Sequence, residues 1–181
     1  MAERVPRYHR WANALVLLGF GWLAILLQLA PLSGLASAPP SPDLLFCVAA
    51  FLLLRRPAST PAFLIVILGL LRDLLGGGPA GLGALVLLAA LEVLRLYADL
   101  IRRRGFFVEL AAIATLVLMM SAFQVVVLAL ALTPIPPLDR IAMGALMTIL
   151  AYIGVAILFR WVLRIRPAPE DNGMLIGRAR R

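Results

Sequence analysis

The chain has 181 residues, is 63% hydrophobic and only 14% charged, and its mean hydropathy is +1.01. A soluble domain carries about a quarter charged residues, so this composition excludes an ordinary soluble fold and predicts an integral membrane protein. The net charge of +8 does not point to nucleic acid, because the basic residues flank apolar runs and build no basic face with interleaved aromatics.

Arg4, Arg7 and Arg10 precede a first apolar segment over 11–30. Arginines, an apolar run and Ala36-Ser37-Ala38 imitate a signal peptide. The run is longer than an h-region of about 7–15 residues, and Pro39 would follow the cut, so the segment reads as a retained span. A short connector rich in Pro, Ser, Ala and Gly occupies 31–42. The second segment, 43–54, is followed by Arg55 and Arg56, and the third covers 62–75. Fusing these two would bury both arginines, and Pro57 and Pro61 would break the helix.

A fourth segment over 80–94 runs into Arg95, Arg102, Arg103 and Arg104; a fifth covers 106–132 and a sixth 141–163. Thr133-Pro-Ile-Pro-Pro137 is a stiff link between the last two. The sequence thus predicts an all-α integral membrane fold, with one six-helix transmembrane domain over 1–166 and a basic tail over 167–181. With both termini cytoplasmic, every arginine except Arg72 and Arg140 lies on the inner side, as the positive-inside rule requires. Segments two to four are short against the ~20 residues of a full span. Short helices are accommodated by thinning the bilayer or by sheltering behind longer neighbours.

One aspartate interrupts the third segment. Gly69, Asp73 and Gly77 stand at four-residue spacing on one helix face, with Gly81 and Ala84 following. Small residues at that spacing allow a close approach of another backbone, and an ionisable group at membrane depth has a partner or a task. Two readings stay open: Asp73 accepts hydrogen bonds from backbone N–H groups at the glycine-rich turn, or it contacts a ligand, a proton or a partner helix. Arg72 is adjacent in sequence and is expected to point elsewhere on the helix. No paired carboxylates at one depth are expected.

Glu92, Arg95, Asp99, Arg102 and Arg103 form a charge ladder at spacings of three and four. It reads as an interfacial anchor or as a docking patch for a cytoplasmic partner. Glu109 sits near the start of helix five, where the helix dipole favours a negative charge. Asn13, Gln28, Ser121 and Gln124 read as interhelical hydrogen-bonding groups. The lone Cys47 excludes an internal disulfide, no metal-ligand spacing occurs, and no phosphate-cradling loop or nucleophile–base pair stands out. The sequence predicts neither cofactor nor enzymatic activity.

Ser41-Pro42-Asp43 opening a short apolar helix, the Arg55-Arg56-Pro57 turn, Gly69-x3-Asp73-Leu74-x2-Gly77-x3-Gly81, and Leu91-Glu92-Val93-Leu94-Arg95 closing helix four together resemble the rod shape-determining MreD family, in its alphaproteobacterial form. The specific part spans about 45 residues, from Pro42 to Glu92. The triple glycine and Arg72 depart from the family pattern. The resemblance implies a fold like that of the substrate-binding S components of energy-coupling-factor transporters. It further implies a non-catalytic inner-membrane scaffold for cell shape and peptidoglycan synthesis. That scaffold would bind the transmembrane helix of MreC, and through it RodA, its penicillin-binding transpeptidase and, indirectly, MreB. The alternative is the vitamin-capturing component of such a transporter, which would need convergent polar groups in its external half; the external loops are expected to offer few. A lipid-binding or lipid-flipping role is a third reading.

Overall fold

The computed structural model describes residues 7–29, 40–55, 60–76, 81–131 and 137–162. These form six α-helices and no strand among the described residues: α1 (Arg7–Leu29), α2 (Leu44–Arg55), α3 (Ala62–Gly76), α4 (Leu82–Arg104), α5 (Phe106–Leu130) and α6 (Leu138–Val162). The helix boundaries follow the apolar segments closely except at the fourth. There α4 runs beyond the apolar segment through Arg104, along the charge ladder read from its helical spacing. Its extension is amphipathic, with Ala98 and Ile101 buried, and its outer face is tied by i,i+3 pairs, Glu92 with Arg95 and Asp99 with Arg102. Hydropathy falls along this stretch while the helix persists. The tail at 167–181 and most of the connectors at 31–42 and 133–137 lie outside the described residues.

Helix α2 is the centre of the fold. Every residue from Leu45 to Leu54 is buried, and α2 packs against α1, α4 and α6. Twelve residues rise only about 18 Å, well short of a ~30 Å hydrocarbon core. The helix also has no outer face, since its neighbours cover it on every side. Phe20 of α1 and Phe51 of α2 lie against Phe159 of α6, with ring centroids 4.7 and 5.4 Å away. These tilted aromatic contacts lock three helices at one level.

Two helices are long and apolar enough to cross a membrane, Phe106–Leu130 and the Leu138–Phe159 part of α6. They are also the least enclosed: Leu118, Met119, Phe123, Val126 and Leu130 of α5 are all exposed. Apolar side chains facing outward in such numbers suit a hydrocarbon solvent and not water. One residue, Gly105, links α4 to α5 at φ 89° and ψ 176°, a conformation open in practice only to glycine.

Candidate functional site

Polar groups gather at both ends of the helical body. At the end where α2, α4 and α6 begin, Asp43 immediately precedes α2 and caps it, its Oδ1 accepting from the Phe46 amide at 3.0 Å. Its other oxygen accepts from Arg72 Nη1 at 2.7 Å. The same guanidinium presents Nε to Asp73 Oδ1 at 3.7 Å. Asp73 Oδ2 in turn accepts from the backbone N–H groups of Gly81 and Ala84, at 3.1 and 3.0 Å. Those amides open α4, whose Gly81 cap supplies no side-chain bond of its own. Helix α3 therefore provides the carboxylate that satisfies the exposed donors of the next helix and complements its dipole.

Two expectations are corrected here. Arg72 does meet Asp73: adjacent residues diverge at Cα, but the long guanidinium folds back between two carboxylates. Paired acids are also present at one level, since Asp43 and Asp73, thirty residues apart in sequence, converge on one arginine.

The small residues make this convergence fit. A Cβ on Gly69 would stand 2.8 Å from Ala84 Cα and 2.9 Å from its Cβ, so α3 and α4 touch backbone to backbone at this pair. A Cβ on Gly83 would lie 2.2 Å from Asp73 Oδ1 and 2.6 Å from Arg72 Nη2. Gly83 thus holds open the space for both side chains, and its role was invisible in sequence. Gly81 adopts φ 92°, a left-handed turn suited to glycine. Gly77 lies outside the described residues. Gly69, Asp73, Gly81 and Ala84 are therefore brought together, with their close contacts made between α3 and α4.

Beside the Arg72–Asp43 pair lies a chamber of about 290 Å³. Gln28, Ser41, Ser121, Gln124, Arg140 and Thr148 contribute its polar lining, and Phe46, Val117 and Met120 its apolar side. Thr148 joins α6 to α2, accepting from the Asp43 amide at 3.1 Å and donating to Gly144 O at 2.8 Å. The Gln28 Oε1 atom is buried with no hydrogen-bond partner. Polar groups do converge at this end, drawn mostly from α1, α3, α5 and α6, with Ser41 and Asp43 added by the segment before α2. Pro42-Asp43 before an apolar run was the one sequence signal for this cluster, as a helix-capping pattern.

At the opposite end, Glu109 is only 3% exposed. It accepts from Arg55 Nη2 at 2.9 Å and from the Tyr152 hydroxyl at 2.5 Å, so α2, α5 and α6 meet in one buried triad. Arg55 also lies over the Phe51 ring, 5.6 Å from its centroid. Glu109 does stand in the first turn of α5, and the structure adds that it is a buried ion-pair partner of Arg55. Nearby, Arg95 pairs with Glu92 at 3.5 Å and donates to the Thr60 carbonyl. Asp99 and Arg102 pair on the surface. The ladder is present, but Arg95 also ties α4 to the start of α3. No cluster of three metal-ligating side chains occurs among the described residues.

Comparison with family models, with curated proteins and with solved structures finds no match for this chain.

Proposed function

We propose that this protein is a six-span, inner-membrane scaffold of the MreD type, with both termini cytoplasmic, supporting cell shape and lateral peptidoglycan synthesis. The observation that carries the reading is how the Gly69–Gly81 motif is used. Asp73 is committed to two backbone amides and a guanidinium, which makes the motif a rigid joint between two helices with no nucleophile left to react. Rigidity without free chemistry is what a scaffold requires. The partners this reading names are the MreC transmembrane helix, the RodA–transpeptidase pair through it, and MreB indirectly.

Gly69 and Ala84 are engaged with each other, so we assign the partner helix to a different surface. A groove of about 350 Å³ between α4 and α5, lined by Leu85, Ala89, Val93, Leu116, Met119 and Phe123, is wholly apolar in its side chains. A transmembrane helix packs into such a groove by van der Waals contact. Co-expression with a single-span MreC-like protein and purification in mild detergent tests the assignment. A stable complex is expected, and Asp73→Ala lowers its yield while leaving membrane insertion intact. Absence of any complex with the wild-type chain sinks the scaffold reading.

The second reading, a solute-capturing transporter component, is favoured by one observation, the polar chamber around Arg72. Saturable binding of a vitamin together with association to an energy-coupling module would select it. Fold analogy by itself carries no functional weight.

A further inference from the structure

The chamber's lining leaves two groups without partners among the described residues, a guanidinium that calls for an anion and an amide oxygen that calls for a donor. Of its two arginines, Arg72 is neutralised by Asp43 and approached by Asp73. Arg140, on the first turn of α6, has no acidic partner among the described residues although it lines the same space. Asp139 shares that turn but does not line the chamber. The lining therefore carries two guanidinium groups against one carboxylate. The positive end of the α6 dipole lies at the same place, since Arg140 and Ile141 both line the chamber. In the same lining, the buried Gln28 Oε1 accepts no hydrogen bond, and a buried acceptor without a donor is uncommon.

We propose that this chamber binds a phosphate monoester or diester, with the oxyanion on Arg140 and a donor of the ligand's organic part on Gln28. A planar guanidinium matches phosphate oxygens in a fork geometry; the amides of Arg140 and Ile141 are taken up by the Pro137 carbonyl, so the helix start contributes through its dipole alone. A volume of about 290 Å³ is near the lower bound of small-ligand pockets, ~300 Å³, and exceeds what a bare phosphate fills. Phe46, Val117 and Met120 supply the apolar wall for the remainder. Two sources share this chemistry, a phospholipid headgroup and a soluble phosphate ester. The site is independent of the scaffold reading, because no feature of it depends on a protein partner.

The test uses the full chain in two arms. In the first, delipidated protein in non-ionic detergent is titrated with glycerol 3-phosphate by calorimetry. In the second, protein taken from bilayers of phosphatidylethanolamine and phosphatidylglycerol is examined by native mass spectrometry for retained lipid. Arg140→Gln is expected to weaken binding at least about tenfold, as loss of a charge-assisted pair does, with Arg140→Lys recovering part of it. Gln28→Leu weakens it several-fold, by about the worth of one hydrogen bond. Retained phospholipid that blocks glycerol 3-phosphate until removed identifies a headgroup site. Binding of glycerol 3-phosphate with no retained lipid identifies a soluble ester. A wild-type chain that takes up neither probe, or an Arg140→Gln chain indistinguishable from wild type in both arms, overturns the proposal. Arg140 is exposed and outside the packed core, so its variants are expected to melt like wild type, which the same samples verify.

Discussion

Glu109→Leu tests whether the fold is held by a buried ion pair or merely contains one. Glu109 is 3% exposed, the Arg55 side chain is 13% exposed, and Arg55 Nε already lacks a partner. Removing the carboxylate leaves a sheltered guanidinium uncompensated, a loss of about 3–5 kcal/mol where buried pairs are broken from one side. The Tyr152 hydroxyl loses its acceptor as well, at about 1–3 kcal/mol for an orphaned buried group. The two penalties share one site and do not add fully, so roughly 4 kcal/mol is expected for the single variant. Arg55→Met should cost about as much, because it strands Glu109 instead. The double variant removes both charges and replaces them with apolar volume. Its cost falls to roughly 1–2 kcal/mol, chiefly the stranded tyrosine. Reversible unfolding in mixed micelles, with sodium dodecyl sulfate as the denaturant, measures all four corners of the cycle. A double variant whose loss equals the sum of the singles would refute the pairing, as would a Glu109→Leu loss below about 1 kcal/mol.

Three further substitutions address the helix contacts and the link between α4 and α5. Gly69→Ala places a methyl group 2.8 Å from Ala84 Cα, and forcing α3 and α4 apart costs about 1–3 kcal/mol by the usual measure of overpacking. Ala84→Gly in the same chain rescues it only in part, since Ala84 Cα is itself one of the two clashing atoms; full rescue in the same unfolding assay would contradict this geometry. Gly105→Ala strains the single-residue link at φ 89°, with an expected loss of about 1–3 kcal/mol and a lower melting temperature. An unchanged melting temperature would mean that the α4–α5 link adopts another conformation.

Hydropathy was enough to find all six helices, because each apolar run is bounded by arginines or by Pro/Gly-rich turns. Where a helix outlasts its apolar run, as α4 does over Arg95–Arg104, the i,i+3 and i,i+4 charge spacing is the legible sign instead. There, salt-bridged outer positions and buried Ala98 and Ile101 sustain the helix. Asp73 as an acceptor for turn amides was legible from the glycines around it. Its association with Asp43 through Arg72 was not, since the pairing is made by side-chain reach and by the packing of α2 against its neighbours. Arg55 and Glu109 are separated by 54 residues; one reads as a flank of an apolar run, the other as a dipole-favoured group at a helix start. Chain order carries no sign that they meet. Gln28 and Thr148 belong to the same class: polar residues whose partners are chosen by tertiary packing alone.

Helix α2 has a further consequence, for the order in which the protein can be assembled. It is made early, yet its two charged ends find their partners late: Asp43 needs Arg72, and Arg55 needs Glu109. On the six-span reading, a twelve-residue helix leaving the insertion machinery has neither the length to settle alone in the bilayer nor a counter-charge at either end. It must wait at the machinery or at the membrane boundary until α3 brings the first partner and α5 the second. Ribosome-bound chains truncated before residue 109 should therefore hold α2 accessible to thiol reagents at Cys47, and chains long enough to expose α5 and α6 should protect it. The centre of the finished fold is the part that becomes secure last.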